Sequence, residues 1–333
     1  MDNILYEDIV VSTRIRLARN LRSIPFPSRM SDSQREELKQ KVKSAIIESN
    51  TPFAKSLKFI DISAVPENEL GAMVERRVIS PEFAKSHKSR AIILSQDESM
   101  SIMIGEEDHI RIQVILQGLQ LEKAYDIAER IDTLLYDSLH FAFDENLGYL
   151  TECPTNLGTG LRASVMMHLP TVESAGEIST LSDTVAKIGF TVRGMYGEGS
   201  KSAASLYQIS NQITLGISEK NALDNLKIIT TQLIDKERNA RESLDRLRVE
   251  DSVYRALGIL KNSRILDSGE MMKLLSRIKL GISMGILNED ISPMKLMIEG
   301  QPHTLMKKYG MMNALERDIC RANYLRENLA EKT

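Results

Sequence analysis

The feature that most constrains the fold of this 333-residue chain is a change of hydrophobic periodicity near residue 216. Before it, segments with the two-residue alternation of strands mingle with segments of helical spacing. After residue 218 only helical spacing recurs. The strands lack the regular βαβ spacing of a parallel sheet, so we expect an α+β fold with a largely antiparallel sheet and flanking helices. An all-helical C-terminal domain should follow it, with the domains at 1–235 and 236–333.

The first expected strand, over residues 10–16, carries two arginines on one face. Side chains alternate along a strand, so Ser12, Arg14 and Arg16 point the same way. Two adjacent guanidinium groups repel each other unless an anion lies between them. Polyphosphate fits, because each guanidinium can form paired charge-assisted bonds to phosphate oxygens. A solvated strand edge is the alternative interpretation of this segment.

Three adjacent carboxylates, Glu106, Glu107 and Asp108, stand between two expected strands and just before Arg111. Such a cluster is costly unless it faces water or a cation. One interpretation places one carboxylate on a cationic substrate, another near a metal ion, and Arg111 on phosphate. The other interpretation is an acidic loop in water.

A thiol, Cys153, opens the loop segment 153–162. Gly158 and Gly160 carry no Cβ, so main-chain N–H groups there can approach an anion or a substrate. Arg162 closes the segment and adds a permanent positive charge. A structural turn is the alternative interpretation.

A glycine-rich segment follows the expected strand that carries Arg193. It holds Glu198 between Gly197 and Gly199. Loop motion can carry such a carboxylate into and out of a site. With Glu107, it provides carboxylates from two separate elements, which suits a cationic acceptor that must be held and then lose a proton.

Several function classes are disfavoured. The chain has no G-x-x-x-x-G-K loop and no complete G-x-G-x-x-G, so the common ATP cradles are missing from the sequence. A net charge of −3 is too mild for a nucleic-acid binder recognised by bulk charge. Two cysteines argue against a disulfide framework, and no apolar run reaches membrane-spanning length. We expect a cytoplasmic protein without direct nucleic-acid or membrane partners.

At these residues the sequence resembles the phosphagen (guanidino) kinase family. The matching motifs are Ser12-Thr13-Arg14-Ile15-Arg16, residues 106–112, residues 153–159 and residues 193–198, in the family's order. They cover roughly residues 10–216, and the cysteine-containing motif is highly specific. The resemblance therefore implies that 1–235 is a phosphotransferase domain with the guanidino-kinase fold, using ATP and Mg²⁺.

The resemblance also implies a role for each matched residue. Groups that hold the ADP or ATP phosphates would be Ser12, Arg14, Arg16, Arg111, Arg162 and Arg193. Glu107 and Glu198 would bind the guanidinium of the substrate, with Glu107 the general base. Cys153 would sit beside the reacting nitrogen, and Glu106 would lie near Mg²⁺.

The sequence departs from the metabolite-specific members of the family in two ways. Those members carry a helical domain ahead of the first arginine motif that encloses the small substrate, whereas eleven residues precede Ser12 here. Met166 and Leu94 stand where those members often have histidines near the nucleotide base. Without an enclosing domain, an arginine that belongs to a protein can reach the carboxylates. The pattern is similar to the bacterial branch that phosphorylates arginine in proteins, which also has a helical C-terminal domain.

A last motif lies in the helix expected near the C-terminus. Arg317 and Arg321 are i,i+4 neighbours, an unfavourable like-charge pair unless an anion joins them, and Asp318 can contact a guanidinium. The resemblance implies that Arg317, Asp318, Arg321 and Ala322 form a phosphoarginine-binding site used in allosteric activation. The alternative is an exposed basic helix face with an intrahelical Asp–Arg pair.

The hypothesis that joins these features is a protein arginine kinase, which marks its substrates for stress-response regulation or proteolysis. Its partners would be proteins with exposed arginines and a second copy of the chain, and the resemblance further implies a zinc-binding activator protein and a Clp-type protease system. Two alternatives stay open. One is a phosphagen kinase for a small free guanidine, and the other is a non-catalytic adaptor that binds phosphoarginine.

Overall fold

The computed structural model describes residues 6–49, 51, 54–85, 89–194, 202, 204–288 and 290–330. Its strands are β1 (Val10–Arg19), β2 (Leu57–Asp61), β3 (Ala91–Ser95), β4 (Met100–Ile104), β5 (Ile110–Gln117), β6 (Phe143–Asp144), β7 (Gly148–Tyr149), β8 (Leu161–His168), β9 (Phe190–Gly194) and β10 (Leu206–Asn211). Eight of them form one sheet in the order β2-β3-β4-β5-β1-β8-β10-β9, and every pair in it is antiparallel. The expected α+β class and antiparallel sheet are confirmed.

The helices of the described residues are α1 (Asp32–Ile47), α2 (Glu67–Glu75), α3 (Pro81–Lys85), α4 (Leu121–Ser138), α5 (Pro170–Ser174), α6 (Ile178–Ala186), α7 (Glu219–Glu242), α8 (Arg246–Asn262), α9 (Ser268–Ser283), α10 (Pro293–Glu299), α11 (Pro302–Tyr309) and α12 (Ala314–Leu329). None of these helices is both long enough and apolar enough to cross a lipid bilayer. From α7 onward the described residues are helical or irregular, as expected.

Local capping explains where several helices begin. Ser31 starts α1 with a capping box, in which its hydroxyl accepts the Gln34 N–H and the Gln34 side chain accepts the Ser31 N–H. Asn313 and Glu316 start α12 in the same way. The sequence of residues 31–90 predicts helices over a polar surface, and this prediction is wrong at β2, which pairs with β3 at the sheet edge.

The two faces of the sheet differ in composition. On one face, apolar residues of β1, β4 and β5 such as Ile15, Ile102 and Ile112 join the main core, which also contains buried residues of α1, α4 and α7. On the other face two separate apolar clusters cover the ends. One joins Met103 and Ile92 to α2 and α3, and the other joins Met166 and Leu206 to the C-terminal helices. Between these clusters the second face of the sheet is polar.

The C-terminal helices dock onto the strand-containing part through α2 and α11. Glu75, the last residue of α2, accepts hydrogen bonds from the N–H groups of His303 and Thr304 at 2.8 and 2.7 Å. It therefore caps the N-terminus of α11, where orphan N–H groups and the helix dipole favour a carboxylate. Helix α7 runs unbroken through residues 235 and 236, and the domain boundary expected there stays a prediction.

The loop that begins at Cys153 requires glycine at residue 158. Gly158 has a φ of +110°, and a Cβ at this position would lie 2.2 Å from the carbonyl oxygen of Thr214. We expect Gly158→Ala to lower the free energy of unfolding, measured by urea denaturation, because it adds this clash to the cost of a left-handed backbone. Gly176→Ala is the matched control, with a φ of +73° and no atom within 4 Å of the new Cβ. The loss at Gly158 should exceed that of the control by at least about 1 kcal/mol, and equal losses would contradict this account.

Candidate functional site

The strand register places the arginines of three neighbouring strands on one face of the sheet. Arg16 of β1 lies directly opposite Arg162 of β8 and, on its other side, opposite Gln113 of β5. Residues directly opposite each other share a face, and so do residues two apart along a strand. Arg14 and Arg111 therefore lie on this same face, which is the polar one.

Arg193 joins them from the edge of the sheet. It lies opposite Gln208 of β10, and Gln208 lies opposite Met166 of β8, which is on the same face as Arg162. The described residues thus bring all five arginines expected from the sequence to one surface: Arg14, Arg16, Arg111, Arg162 and Arg193. We call this set the arginine floor. Ser12 lies at its margin, opposite Met166.

The arginine floor is electrostatically unfavourable without an anion. Burial, together with repulsion from Arg77, Arg111 and Arg162, lowers the pKa of Arg14 to about 9. Burial and the neighbouring guanidinium groups also lower the pKa of Arg16 and of Arg162. Because arginine normally stays protonated, such shifts mean that folding has removed these groups from water and has crowded positive charge together. Phosphate oxygens would relieve this crowding.

Unsatisfied donors support the same conclusion. The buried Nε atoms of Arg16 and Arg162 have no hydrogen-bond partner among the described residues. A buried donor without a partner is costly and rare in proteins, and at a binding site a ligand satisfies it. The arginine floor therefore fits a polyanion such as the phosphate tail of ATP.

The three adjacent carboxylates, Glu106, Glu107 and Asp108, lie in three different environments. Glu106 is buried, forms an ion pair with Arg111 and accepts a hydrogen bond from the Ser80 hydroxyl. Glu107 is about half exposed and lies 3.2 Å from Nη2 of Arg111. Arg111 thus joins the arginine floor to both glutamates. Glu198, the second carboxylate expected to bind the substrate, lies outside the described residues.

The third carboxylate, Asp108, is fully buried and positions the cysteine loop. Its Oδ1 accepts hydrogen bonds from the Asn20 side chain at 2.7 Å and from the Glu152 N–H at 2.8 Å. Asn20 in turn accepts the N–H of His109. These bonds tie the end of β1, the acidic turn and the residue before Cys153 to one another. The acidic loop in water is therefore the wrong interpretation for Asp108 and Glu106, and it describes only Glu107.

Cys153 lies beside these groups. With Glu107 it lines a pocket of about 260 Å³, which we call the acceptor pocket; its other lining residues are Pro27, Ser28, Arg35, Arg90, Glu106 and Glu152. The Cys153 sulfur lies 3.0 Å from the Thr155 hydroxyl, and both Cys153 and Glu107 interact electrostatically with Arg162. A thiol and a carboxylate thus share a pocket at the end of the arginine floor.

A larger cavity of about 450 Å³ lies directly over the arginine floor, and we call it the floor cavity. Its lining includes Arg14, Arg16 and Arg111, and its size falls in the usual range for ligand sites. Among the polar lining residues that sequence reasoning missed are Arg77, Ser80 and Gln208. Arg77 and Ser80 lie outside the motifs that the sequence singles out, and Gln208 is placed by its 2.5 Å hydrogen bond with Arg14.

A magnesium site built by the protein alone is not found in the described part of the chain, where no three His, Cys, Asp or Glu side chains cluster at ligating distance. Mg²⁺ at phosphotransfer sites is held mainly by substrate phosphates with one or two carboxylates. Glu106, next to Arg111 and the arginine floor, fits that limited role.

The motif expected to bind phosphoarginine lies on α12, but not as an exposed basic face. Arg321 is fully buried: Nε donates to the Gly300 carbonyl at 2.7 Å, and Nη1 donates to the Leu266 carbonyl at 2.8 Å and to Asp318 at 2.6 Å. Ala322 is buried beside it. Arg317 is partly exposed and donates to the Met312 carbonyl at 3.1 Å. The intrahelical Asp–Arg pair is present, and the site itself stays a prediction.

Comparison with family models divides the chain into two matches. Residues 37–240 match the model of the ATP:guanido phosphotransferase C-terminal catalytic domain. Residues 246–333 match the model of the protein-arginine kinase McsB C-terminal domain. The first match contains the acidic turn, the cysteine loop and most of the arginine floor, and the second contains the α12 motif.

Relatives and solved structures agree with these matches. The chain is 43% identical to the protein-arginine kinase of Caldanaerobacter subterraneus subsp. tengcongensis over 98% of both chains. It is 45% identical to that of Clostridium acetobutylicum over 97% of this chain and 96% of the relative. A lombricine kinase crystal structure shares the fold, with a TM-score of 0.63 at 24% identity over 72% of this chain and 69% of that one.

The crowding on the arginine floor predicts a trade-off between stability and anion binding. A base with a lowered pKa is charged at a cost to the folded state, so Arg16→Met should raise the free energy of unfolding of the ligand-free protein by about 1 kcal/mol. It should weaken the binding of inorganic tripolyphosphate at least about tenfold. Urea denaturation and titration calorimetry measure the two effects. Arg22→Met, at an exposed arginine of the same segment, should change neither. A variant at Arg16 that loses stability and keeps tripolyphosphate affinity would refute this account.

Proposed function

The chain belongs to the protein-arginine kinases of the ATP:guanido phosphotransferase family, and from that premise we propose how its residues carry the transfer of the ATP γ-phosphate to arginine side chains of other proteins. The observation that carries the proposal is the junction at Arg111. On one side of this residue lies the arginine floor, and on the other lie Glu106 and Glu107 of the acceptor pocket. A polyanion and a cation can therefore meet there.

The arginine floor and Ser12 hold the phosphate tail of ATP in this proposal. Phosphoryl transfer needs little covalent chemistry from the protein, because positioning and neutralisation of the spread negative charge lower the barrier. Arg16 and Arg162 supply buried donors whose Nε atoms have no partner among the described residues. Burial and repulsion from neighbouring guanidinium groups lower the pKa of Arg14, and ATP would relieve the repulsion.

Glu107 acts as the general base in the acceptor pocket. A guanidinium is a poor nucleophile, since its lone pairs are delocalised and its pKa exceeds about 12. Glu107 would localise charge on the guanidinium and accept its proton as nitrogen attacks the γ-phosphorus. The bond between that phosphorus and the β–γ bridging oxygen then breaks and ADP leaves. Glu198, outside the described residues, would supply the second carboxylate, and Cys153 would contact the reacting nitrogen.

Mg²⁺ would neutralise phosphate charge when bound with ATP. Glu106 would orient the ion together with the nucleotide phosphates, and its pairing with Arg111 and Ser80 holds this carboxylate in place.

We further propose that α12 binds phosphoarginine as a regulatory ligand. Arg317 would contact the phosphate, and Asp318 would bind the guanidinium. Arg321, held by two main-chain carbonyls, would position Asp318, while Ala322 leaves the buried side of the helix small. The support is the match of this region to the C-terminal model of protein-arginine kinases and the partial exposure of Arg317 and Asp318.

A homodimer is the proposed assembly, supported by apolar side chains exposed on the C-terminal helices. Leu315 and Ile319 are 55% and 38% exposed on one face of α12, and Met311 before it is 78% exposed. Exposed apolar patches of this kind mark interaction sites.

We place the protein in the cytoplasm, in a stress response with a zinc-binding activator and a Clp-type protease, supported by the family and by two free thiols.

One assay separates this function from its alternatives. The protein is incubated with Mg-ATP and either a basic protein or free arginine, and acid-labile phosphate is measured. We expect label on the protein substrate. Label on free arginine alone would indicate a small-guanidine kinase, and label on neither would indicate a non-catalytic phosphoarginine adaptor.

Glu107→Gln should lower kcat for protein substrates at least about 100-fold, because removal of a general base costs that much or more. The KM for ATP should stay within about twofold, since the substituted group lies in the acceptor pocket and only borders the arginine floor. The side chain is 45% exposed, so the melting temperature should not change. Glu145→Gln, in the exposed β6–β7 turn, is the control. Near-normal kcat in Glu107→Gln would remove this residue from catalysis.

Arg317→Ala should weaken the binding of phosphoarginine at α12 at least about tenfold, because one charge-assisted pair is lost. Calorimetry in excess free arginine, which competes for the acceptor pocket, isolates the α12 site. Arg326→Ala removes an arginine from the same helix that donates to Ser263 and Asn323 and should have no effect. Equal affinities of the Arg317 variant and the parent would exclude this site.

A further inference from the structure

The floor cavity has one wall made by the C-terminal helices. Met297 and Ile298 of α10 and Gln301 before α11 line it together with the arginine floor and Met166 of β8. Met166 and Met297 belong to the same buried cluster. The cavity therefore lies between the two parts of the chain that match different family models.

The position of the acceptor pocket decides how a nucleotide would lie in the floor cavity. Phosphoryl transfer takes place at the acceptor pocket, next to Arg111, so the γ-phosphate must lie at that end. The base must then occupy another part of the cavity. Away from Arg111 the lining includes the apolar side chains of Met166, Met297 and Ile298 and the amide of Gln208. Apolar walls with a few placed polar groups are what a flat heteroaromatic base requires.

We propose that the C-terminal helical region completes the adenine subsite, with the base held between Met166 of the sheet and the Met297–Ile298 segment of α10. This inference rests on the proposed function, because it takes ATP as the ligand of the floor cavity. Gln208 and Gln301 provide the amide groups beside the base. The Gln208 oxygen accepts a hydrogen bond from Arg14, and the Gln301 amide nitrogen donates to the Met297 carbonyl at 2.9 Å. Gln208 therefore offers the base an N–H donor and Gln301 offers an acceptor oxygen, one for each group of the N6 and N7 edge of adenine.

The proposal requires that α10 be held firmly against the strand-containing part, and the contacts at α2 do this. Glu75 caps α11, and Lys307 of α11 forms an ion pair with Glu69 of α2 at 2.7 Å. Gly71 lets the helices approach so closely that a Cβ there would lie 2.4 Å from the His303 ring. Glu75 also lines the floor cavity. The contact that docks α11 onto α2 therefore also forms part of the wall of the floor cavity.

A comparison of two ligands tests the subsite. ADP carries the base and phosphates, whereas inorganic tripolyphosphate carries phosphates only. Ile298→Asn should raise the Kd for ADP about tenfold, as expected for loss of an apolar contact to the base, and should leave the Kd for tripolyphosphate unchanged. Ile265→Asn, which alters a 57% exposed isoleucine of the same helical region outside the cavity, is the matched control and should change neither value.

Gln301→Ala provides a second variant in case Ile298→Asn does not fold, and it should also raise the Kd for ADP alone. If both Kd values stay unchanged in folded variants, or if both rise equally, the proposed adenine subsite is wrong. If those same variants still phosphorylate protein arginine, the proposed function stands although the adenine subsite is wrong. Loss of labelling in the parent protein would instead overturn the function.

Discussion

Repulsion between guanidinium groups on one face of the sheet is the interaction on which the rest of the site depends. Antiparallel register brings Arg16 of β1 opposite Arg162 of β8, and the same face carries Arg14 two residues away on β1 and Arg111 on the neighbouring strand β5. A contrast on the same strand shows that this crowding is specific. Arg19 points to the opposite face, where it pairs with Asp132 at 2.8 Å and donates to two carbonyl groups. Arg14 and Arg16 instead lie on the polar face, where burial and neighbouring guanidinium groups lower their pKa, so this face suits a polyanion.

The remaining architecture keeps this unfavourable surface in place. The main core covers the opposite face, and two apolar clusters close the ends of the polar face. Asp108 adds precision at the transfer end, because one buried carboxylate fixes both the end of β1 and the loop of Cys153. The stability lost at the arginine floor is therefore offset by burial elsewhere. This is the usual relation between a strained functional surface and its scaffold.

Much of this arrangement was accessible from the sequence, and the reasons for the misses are physical. Strand alternation put Arg14 and Arg16 on one face, and the change of hydrophobic periodicity near residue 216 separated the strand-containing part from the helical part. Register between distant strands has no local signal, so the approach of Arg193 through Gln208 and Met166 required the structure. Ser80 and Arg77 were missed because a cavity wall has no sequence period. Arg321 reads as a surface residue by charge, yet its carbonyl partners lie 21 and 55 residues away.

The helical region links the proposed regulatory and nucleotide sites through a short path. Arg321 of α12 donates to the carbonyl of Gly300, and Gly300 lies between Ile298 and Gln301, which line the floor cavity. A ligand that changes how Arg321 is held therefore acts on the wall against which the base is proposed to rest. Coupling between two binding sites is reciprocal in free energy. A phosphoarginine bound at α12 that tightens nucleotide binding must itself bind more tightly when the nucleotide is present, and the Gly300 segment between α10 and α11 couples the sites without direct contact between the ligands.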